Sequence, residues 1–370
     1  MSIDFKSLES KPRILIEAAL KPVAGTRIQP TGFPDLGPAV YDDPDNVPTL
    51  LVESAQSMAN RLEAVCWDDA SDDVVSDLKG LPYVKVRLAG IGNGSDTTTS
   101  LLEFHRLNSP YIVQKPKDLQ RSLTSDGKWF TEVLKSALGL TVMAAGGTRK
   151  SGRKQEEEAT DDEAGGDKEP DDIAGVVNLR KLAALCFKYD PNSLIHGVFL
   201  EKIAGRLRHP RALSAFIEAS GVGRADSGGV KFDRVLPKPK VAGVDAKAGY
   251  GNVIFHRTEF TAKLITAFFS IDLAQIRGYG LGEDATHLLI ALSLWKVRRF
   301  LDSTMRLRSA CELEIDDAKG GIRVKRPDDF SLPSADALSS IVCAFIKKCN
   351  PMFASPAVTE LTWNNPKGKE

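Results

Sequence analysis

The chain has 370 residues, an apolar fraction of 42% and a formal net charge of zero. That composition excludes a disordered or collagen-like polymer and suits a body that buries a core. No apolar run reaches the roughly 18 to 20 residues of a membrane helix, and the start MSIDFKSLESKPR lacks the pattern of a secretion signal.

The zero net charge hides an asymmetry. Residues 156–172 carry ten acidic groups and one lysine, leaving 48 basic and 39 acidic residues elsewhere. The remainder is therefore basic, which suits an anionic partner. The five cysteines are scattered, with no CxxC pair and no histidine at zinc-ligand spacing, which reads as reduced thiols in a cytoplasmic protein.

In chain order, residues 13–20 (RILIEAAL) predict a strand and 49–67 a helix with an apolar stripe of Leu51, Ala55, Met58, Leu62 and Val65. Between them lies a loop, 26–41, stiffened by Pro30, Pro34 and Pro38 and turned by Gly32 and Gly37. Residues 83–89 alternate as a half-buried strand, and 100–106 predict another. Helices are expected over 128–138, 179–187 and 211–219, and strands over 194–200, 230–236 and 252–257. Residues 262–271 are apolar and ambiguous. A strong amphipathic helix spans 283–301, a hairpin is expected from 309–315 and 322–326, and 334–348 predict a last helix. Residues 144–172, basic and then acidic, have no aromatic group and no apolar period, and read as a disordered insertion in one discontinuous body, 1–143 with 173–370. Strands and helices do not alternate strictly, which favours an α+β fold with a mostly antiparallel sheet.

The glycine runs at 91–95 and 278–282 read as tight turns rather than phosphate cradles. The first is followed by strand-like sequence, and the second by Glu283 and Asp284. No GxSxG, P-loop or HExxH occurs. Asp35, Asp42, Asp43 and Asp45 gather at the loop's end, where they could hold a hard cation or simply form turns. Basic groups concentrate at Lys21 and Arg27, at Lys202, Arg206, Arg208, His209 and Arg211, and at Arg298, Arg299, Arg306 and Arg308. They suit phosphate neutralisation or a solvated surface. The polar face of the 49–67 helix carries Glu53, Gln56, Ser57, Asn60, Arg61 and Glu63. Mixed amides, hydroxyls and one guanidinium suit a nucleic-acid backbone as well as plain solvent.

The stretches LIEAALKPVAGTRIQPTGFPDLGPAVY, LVESAQSMANRLE, SLIHGVFLEKIAGRLRHPRALSAFIEA, SGGVKFDRV, GNVIFHRTEFTA, IRGYGLG and RLRSACELE occur in that order. Together they resemble the crRNA-binding backbone subunit, of the RAMP superfamily, in the type I-G (formerly I-U) CRISPR surveillance complex, Cascade. The resemblance implies a modified ferredoxin-like (RRM-like) palm with an antiparallel sheet and inserted finger and thumb segments. It implies a non-catalytic protein without a cofactor, repeated along one crRNA in contact with further copies of itself and other Cascade subunits. Target DNA would be met through the guide, a helicase-nuclease partner would cut it, and no membrane would be involved.

In the wider family the first helix carries a Ser-Ser-Gln-x-x-Lys-Arg pattern on the RNA backbone. Here Ser54, Ala55, Gln56 and Ser57 match its start, while Ala59 and Asn60 stand at the basic pair and Arg61 follows. The expected RNA contacts are Lys21, Arg27, Gln29, Ser54, Gln56, Ser57, Asn60, Arg61, Arg206, Arg208 and Arg211. Such groups would hold phosphate and ribose while leaving base edges free for pairing. The alternative is a metal-dependent ribonuclease of the same superfamily using Asp35 or Asp42.

Overall fold

The computed structural model describes residues 3–33, 37–89, 91, 96–115, 118–142, 173–174, 176–205, 208–231, 234–235 and 253–364. They belong to two compact units, one from 1–81, 194–197 and 210–351, the other from 82–193, 198–209 and 352–370. The predicted insertion at 144–172 and the turn at 92–95 lie outside the described residues.

In chain order the elements used below begin with β1 (Arg13–Pro22), β2 (Arg27–Ile28), β3 (Val40–Asp42), β4 (Pro48–Glu53) and α1 (Ala55–Ala64). Next come β5 (Tyr83–Ala89), β6 (Thr97–Thr99), β7 (Arg121–Thr124), α2 (Phe130–Leu138) and α3 (Leu179–Tyr189). They are followed by β8 (Leu213–Ser220), β9 (Gly223–Lys231), β10 (Val253–Thr261), β11 (Leu264–Asp272) and α4 (Glu283–Leu301). The last are β12 (Arg306–Arg308), β13 (Cys311–Ile315), β14 (Ile322–Arg326), α5 (Ala335–Cys349) and β15 (Val358–Asn364).

The first unit is built on a sheet of order β12-β13-β1-β11-β8-β4-β3, with β14 also on β1. Its centre, β1-α1-β8-β11-α4-β13 in sequence and β13-β1-β11-β8 in space, is the antiparallel βαββαβ arrangement of a ferredoxin-like, RRM-like palm. Period-two alternation explains the layering. Ile14, Ile16, Ala18 and Leu20 of β1, Leu213, Ala215, Ile217 and Ala219 of β8, and Ile265, Ala267, Phe269 and Ile271 of β11 are all buried. They face the apolar stripes of the helices, with Met58 and Leu62 from α1 and Leu288, Leu292 and Phe300 from α4. The Phe269 and Phe300 rings meet edge to face at 6.2 Å. Each such side chain contributes about 1.5–3 kcal/mol of burial. No helix among the described residues is long and apolar enough to cross a membrane.

The second unit holds a four-stranded sheet, β6-β5-β15-β7, in which β5 and β15 run parallel and the outer pairs antiparallel. Phe130 of α2 is buried and packs edge to face on Tyr189 of α3 at 5.3 Å. Gly139 closes α2 in the left-handed conformation, φ 73°.

Several sequence expectations change. The predicted helix at 49–67 is a strand followed by a helix. Thr49, Leu50 and Leu51 pair with β8, and Ser54 then caps α1 by accepting the Ser57 amide at 3.3 Å. The predicted helix at 211–219 is β8, because LSAFIEAS buries every second residue. The predicted strand at 100–106 is a turn, tied down by the Glu103 carboxylate, which accepts the hydroxyls of Thr98 at 2.6 Å and Ser109 at 2.9 Å. The predicted strand at 194–200 is the helix Asn192–His196 and then a two-residue strand, separated by Gly197 at φ 82°. The expected hairpin partners β13 and β14 both exist, but each pairs with β1 rather than with the other. The ambiguous 262–271 segment is the central strand β11.

Candidate nucleic-acid interface

The root of the opening loop is fixed by backbone contacts on both sides. β2 pairs with the end of β10, Ile28 beside Phe260 and Arg27 beside Thr261, and the Ile28 side chain is buried. The Gln29 amide donates to the Ala310 carbonyl at 2.9 Å, and Arg308 Nη1 donates to the Gln29 carbonyl at 3.0 Å. Held this way, Arg27 presents a guanidinium that is 55% exposed. Its Nη1 lies 3.0 Å from Oε2 of Glu259, a carboxylate only 7% exposed, and Arg257 approaches the same carboxylate at 4.0 Å. Arg27, Glu259, Ala310 and Glu312 line a shallow cleft of about 300 Å³. A phosphate entering it would have to draw Arg27 away from Glu259. Lys21, at the end of β1, pairs with Glu314 of β13 at 3.3 Å, both half-exposed.

The second half of the site is organised by a carboxylate. Glu53 ends β4 and has no solvent exposure. Its Oε1 accepts Arg61 Nε at 2.9 Å and the Ser57 hydroxyl, and its Oε2 accepts Arg308 Nη2. Arg61 also donates through Nη2 to the Leu307 carbonyl. A buried carboxylate must be paired to be tolerated, and here two guanidiniums and a hydroxyl do it. Burial lowers the pKa of Arg61 and of Arg308 from the ordinary guanidinium value, partly opposed by the neighbouring Cys311. Burial raises the Cys311 thiol, partly opposed by Arg308 and Arg61.

The loop root and the first helix thus share one network, running from Gln29 through Arg308 to Glu53, Ser57 and Arg61. Within it Ser54 caps the helix, and Ser57 and Arg61 brace Glu53. Gln56 and Asn60 are left exposed on the α1 face.

The family model described as CRISPR-associated protein GSU0053 matches residues 14–224, more than half of the chain. The chain belongs to this CRISPR-associated family. The matched range contains the loop root, β4 and α1. Among solved structures, a chain described as a CRISPR RNA-guided surveillance complex, pre-nicking, is similar at 11% identity. That alignment covers 91% of this chain and 87% of the other, with a TM-score of 0.39. No curated protein matches the sequence.

In this CRISPR-associated protein the remaining expected contacts are divided. Arg208 is exposed on a two-residue ladder, Arg208–His209, in the second unit. Arg211 is part-buried in the first unit, and Arg206 lies outside the described residues. Asp35 also lies outside them. Asp42 is exposed at the end of β3, and Asp43 is a turn former whose carboxylate accepts the amides of Asp45 at 2.8 Å and Val47 at 2.9 Å. Among the described residues no three His, Cys, Asp or Glu side chains are placed to hold one metal ion.

Sequence reasoning missed the centre of the network. The helical wheel puts Glu53 on a solvated polar face, whereas it is the last residue of β4. A usable signal was the β-type run Thr49–Val52 stopping at a Ser that can cap, which makes Glu53 the last residue of a strand. The pairing of Glu53 with Arg308, 255 residues away, has no local signature.

Proposed function

We infer that this chain is a non-catalytic, crRNA-binding backbone subunit of a type I-G CRISPR surveillance complex. It repeats along the guide in contact with further copies of itself and with other Cascade subunits. It presents the guide to target DNA in the cytoplasm and leaves strand cutting to a helicase-nuclease partner. The observation that carries the reading is the braced edge formed by Arg27, Gln56 and Asn60. One exposed guanidinium at the loop root and two exposed amides on α1 are carried by elements that Gln29, Arg308 and Glu53 tie together, within the range that the CRISPR-associated family covers. These groups can grip phosphate and 2′-hydroxyl without reading bases, as a guide carrier requires.

The test is purification of the full chain from cells expressing a repeat-spacer transcript, followed by analysis of bound RNA. RNA of uniform length is expected, and matched target RNA incubated with the assembled complex and magnesium stays intact. A protein that carries no RNA, or that assembles equally well on RNA lacking repeat-derived ends, contradicts the reading.

A further inference from the structure

The strands β9, β10 and β2 form a small sheet whose two faces differ in character. Arg27 lies beside Thr261, so the two side chains share a face. Alternation along β10 puts Glu259, Arg257 and Phe255 on that same face. Their direct neighbours on β9 are Ala225, Ser227 and Gly229, none of which carries a charge. The charged groups of the other face are engaged with one another. Arg224 meets Asp226 at 2.9 Å, and His256 approaches the same carboxylate at 3.6 Å.

Glu259 is therefore served from its own face. Its carboxylate is 7% exposed and lies 3.0 Å from Arg27 and 4.0 Å from Arg257. The second carboxylate of the cleft, Glu312, is held by Arg306 at 3.1 Å. Arg308, the nearest guanidinium on the neighbouring sheet, is committed to Glu53 and to the Gln29 carbonyl.

Arg257 is placed between two partners. On one side is Glu259, and on the other its guanidinium stands 5.4 Å from the centre of the Phe255 ring. That ring is seated over Gly229, where a Cβ would come within 2.9 Å of it, so only a glycine leaves the ring this place. From 4.0 Å, Arg257 needs to advance only about 1 Å to reach hydrogen-bond distance of the carboxylate.

A phosphate that takes Arg27 removes the nearer partner of a buried carboxylate. An unpaired buried carboxylate is costly, so the exchange is favourable only if another cation replaces the one withdrawn. We propose, on the reading that Arg27 meets the guide's phosphates, that Arg257 is the reserve counter-ion of Glu259. When a phosphate draws Arg27 into the cleft, Arg257 closes on Glu259. Arg257 is thus a positioning residue that promotes RNA binding without touching RNA, and Glu259 is the acidic competitor that the phosphate displaces.

The test is binding of a labelled single-stranded RNA to the full chain across a salt series, in a double-mutant cycle on Arg257 and Glu259. Arg257→Gln is expected to weaken binding about tenfold with the salt slope unchanged. Glu259→Gln releases Arg27 from its competitor and tightens binding about threefold. In the Glu259→Gln background, Arg257→Gln then changes nothing, because no buried charge remains to be balanced. Arg257→Lys keeps a counter-ion and stays within about threefold of wild type. A weakening by Arg257→Gln that persists beside Glu259→Gln, or a salt slope flatter by about 0.7, assigns Arg257 to a phosphate or to the fold and overturns the proposal. So does unaltered binding by Arg257→Gln where Arg27→Ala weakens it. Unaltered binding by Arg27→Ala overturns the reading of the loop root itself, and the role of Arg257 with it.

Discussion

Arg61 and Arg27 are both expected RNA contacts on the sequence reading, and the fold uses them differently. Arg61 is 27% exposed, points at a fully buried carboxylate and donates to a distant carbonyl. Arg27 is 55% exposed, and its ion-pair partner, Glu259, sits at the wall of an open cleft. The first arrangement stabilises the scaffold. The second leaves a half-exposed charge that an incoming phosphate can capture, because Arg257 also approaches the buried Glu259 carboxylate. A rigid, charge-balanced interior is what lets the exposed edge keep its shape.

The largest effect should come from cutting that interior. Glu53→Ala strands two part-buried guanidiniums and is expected to lower stability by about 3–5 kcal/mol, read from urea unfolding. Glu53→Gln keeps hydrogen-bond acceptance at one oxygen and should lose less. Next, Arg61→Ala should cost about 1–3 kcal/mol of stability. If its salt dependence of RNA binding also flattens as much as that of Arg27→Ala, the contrast drawn here fails. Arg27→Ala leaves the buried Glu259 with Arg257 at 4.0 Å and is expected to cost about 1–2 kcal/mol of stability. It should weaken RNA binding uniformly across sequences, with a salt slope flatter by about 0.7. Gln56→Ala and Asn60→Ala should each weaken RNA binding about threefold and leave stability within about 0.5 kcal/mol.

The smallest expected effect concerns pH. Burial lowers the pKa of His209 from its ordinary value, so the folded state favours the neutral ring. The unfolded chain then binds the proton more readily, and the stability that His209 contributes is complete above its ordinary pKa. It declines as pH falls through that value towards the lowered one. A thermal melting series from neutral to mildly acidic pH should show a decline that His209→Gln reduces, His287 being lowered by burial in the same direction.

Legibility was uneven for identifiable reasons. The helix at 283–301 was read with its observed bounds, because its apolar stripe is long and Gly282, at φ 91°, stops the chain before it. β1 is legible as a short apolar run and β5 as an alternating one. The segment of β8 reads as helix because Ala and Glu favour helix locally, and only pairing with β11 and β4 overrides them. A helix there also conceals the cross-strand stacking of Phe216 on Phe268, at 5.0 Å between β8 and β11. At the site, the exposed Arg27, Gln56 and Asn60 were all named from residue type and position. Glu53 was seen but placed on the wrong element.

By itself the sequence determined the α+β class, the ends of the strongest helix and the basic body beneath a neutral total. Each of these follows from local periodicity or a simple count. Tertiary structure alone decided which cations stay available to a ligand. A guanidinium has the same composition and spacing whether it faces solvent or a buried carboxylate, and only the strand-to-helix step from β4 to α1 and the placement of the distant β12 bring Glu53 to Arg61 and Arg308.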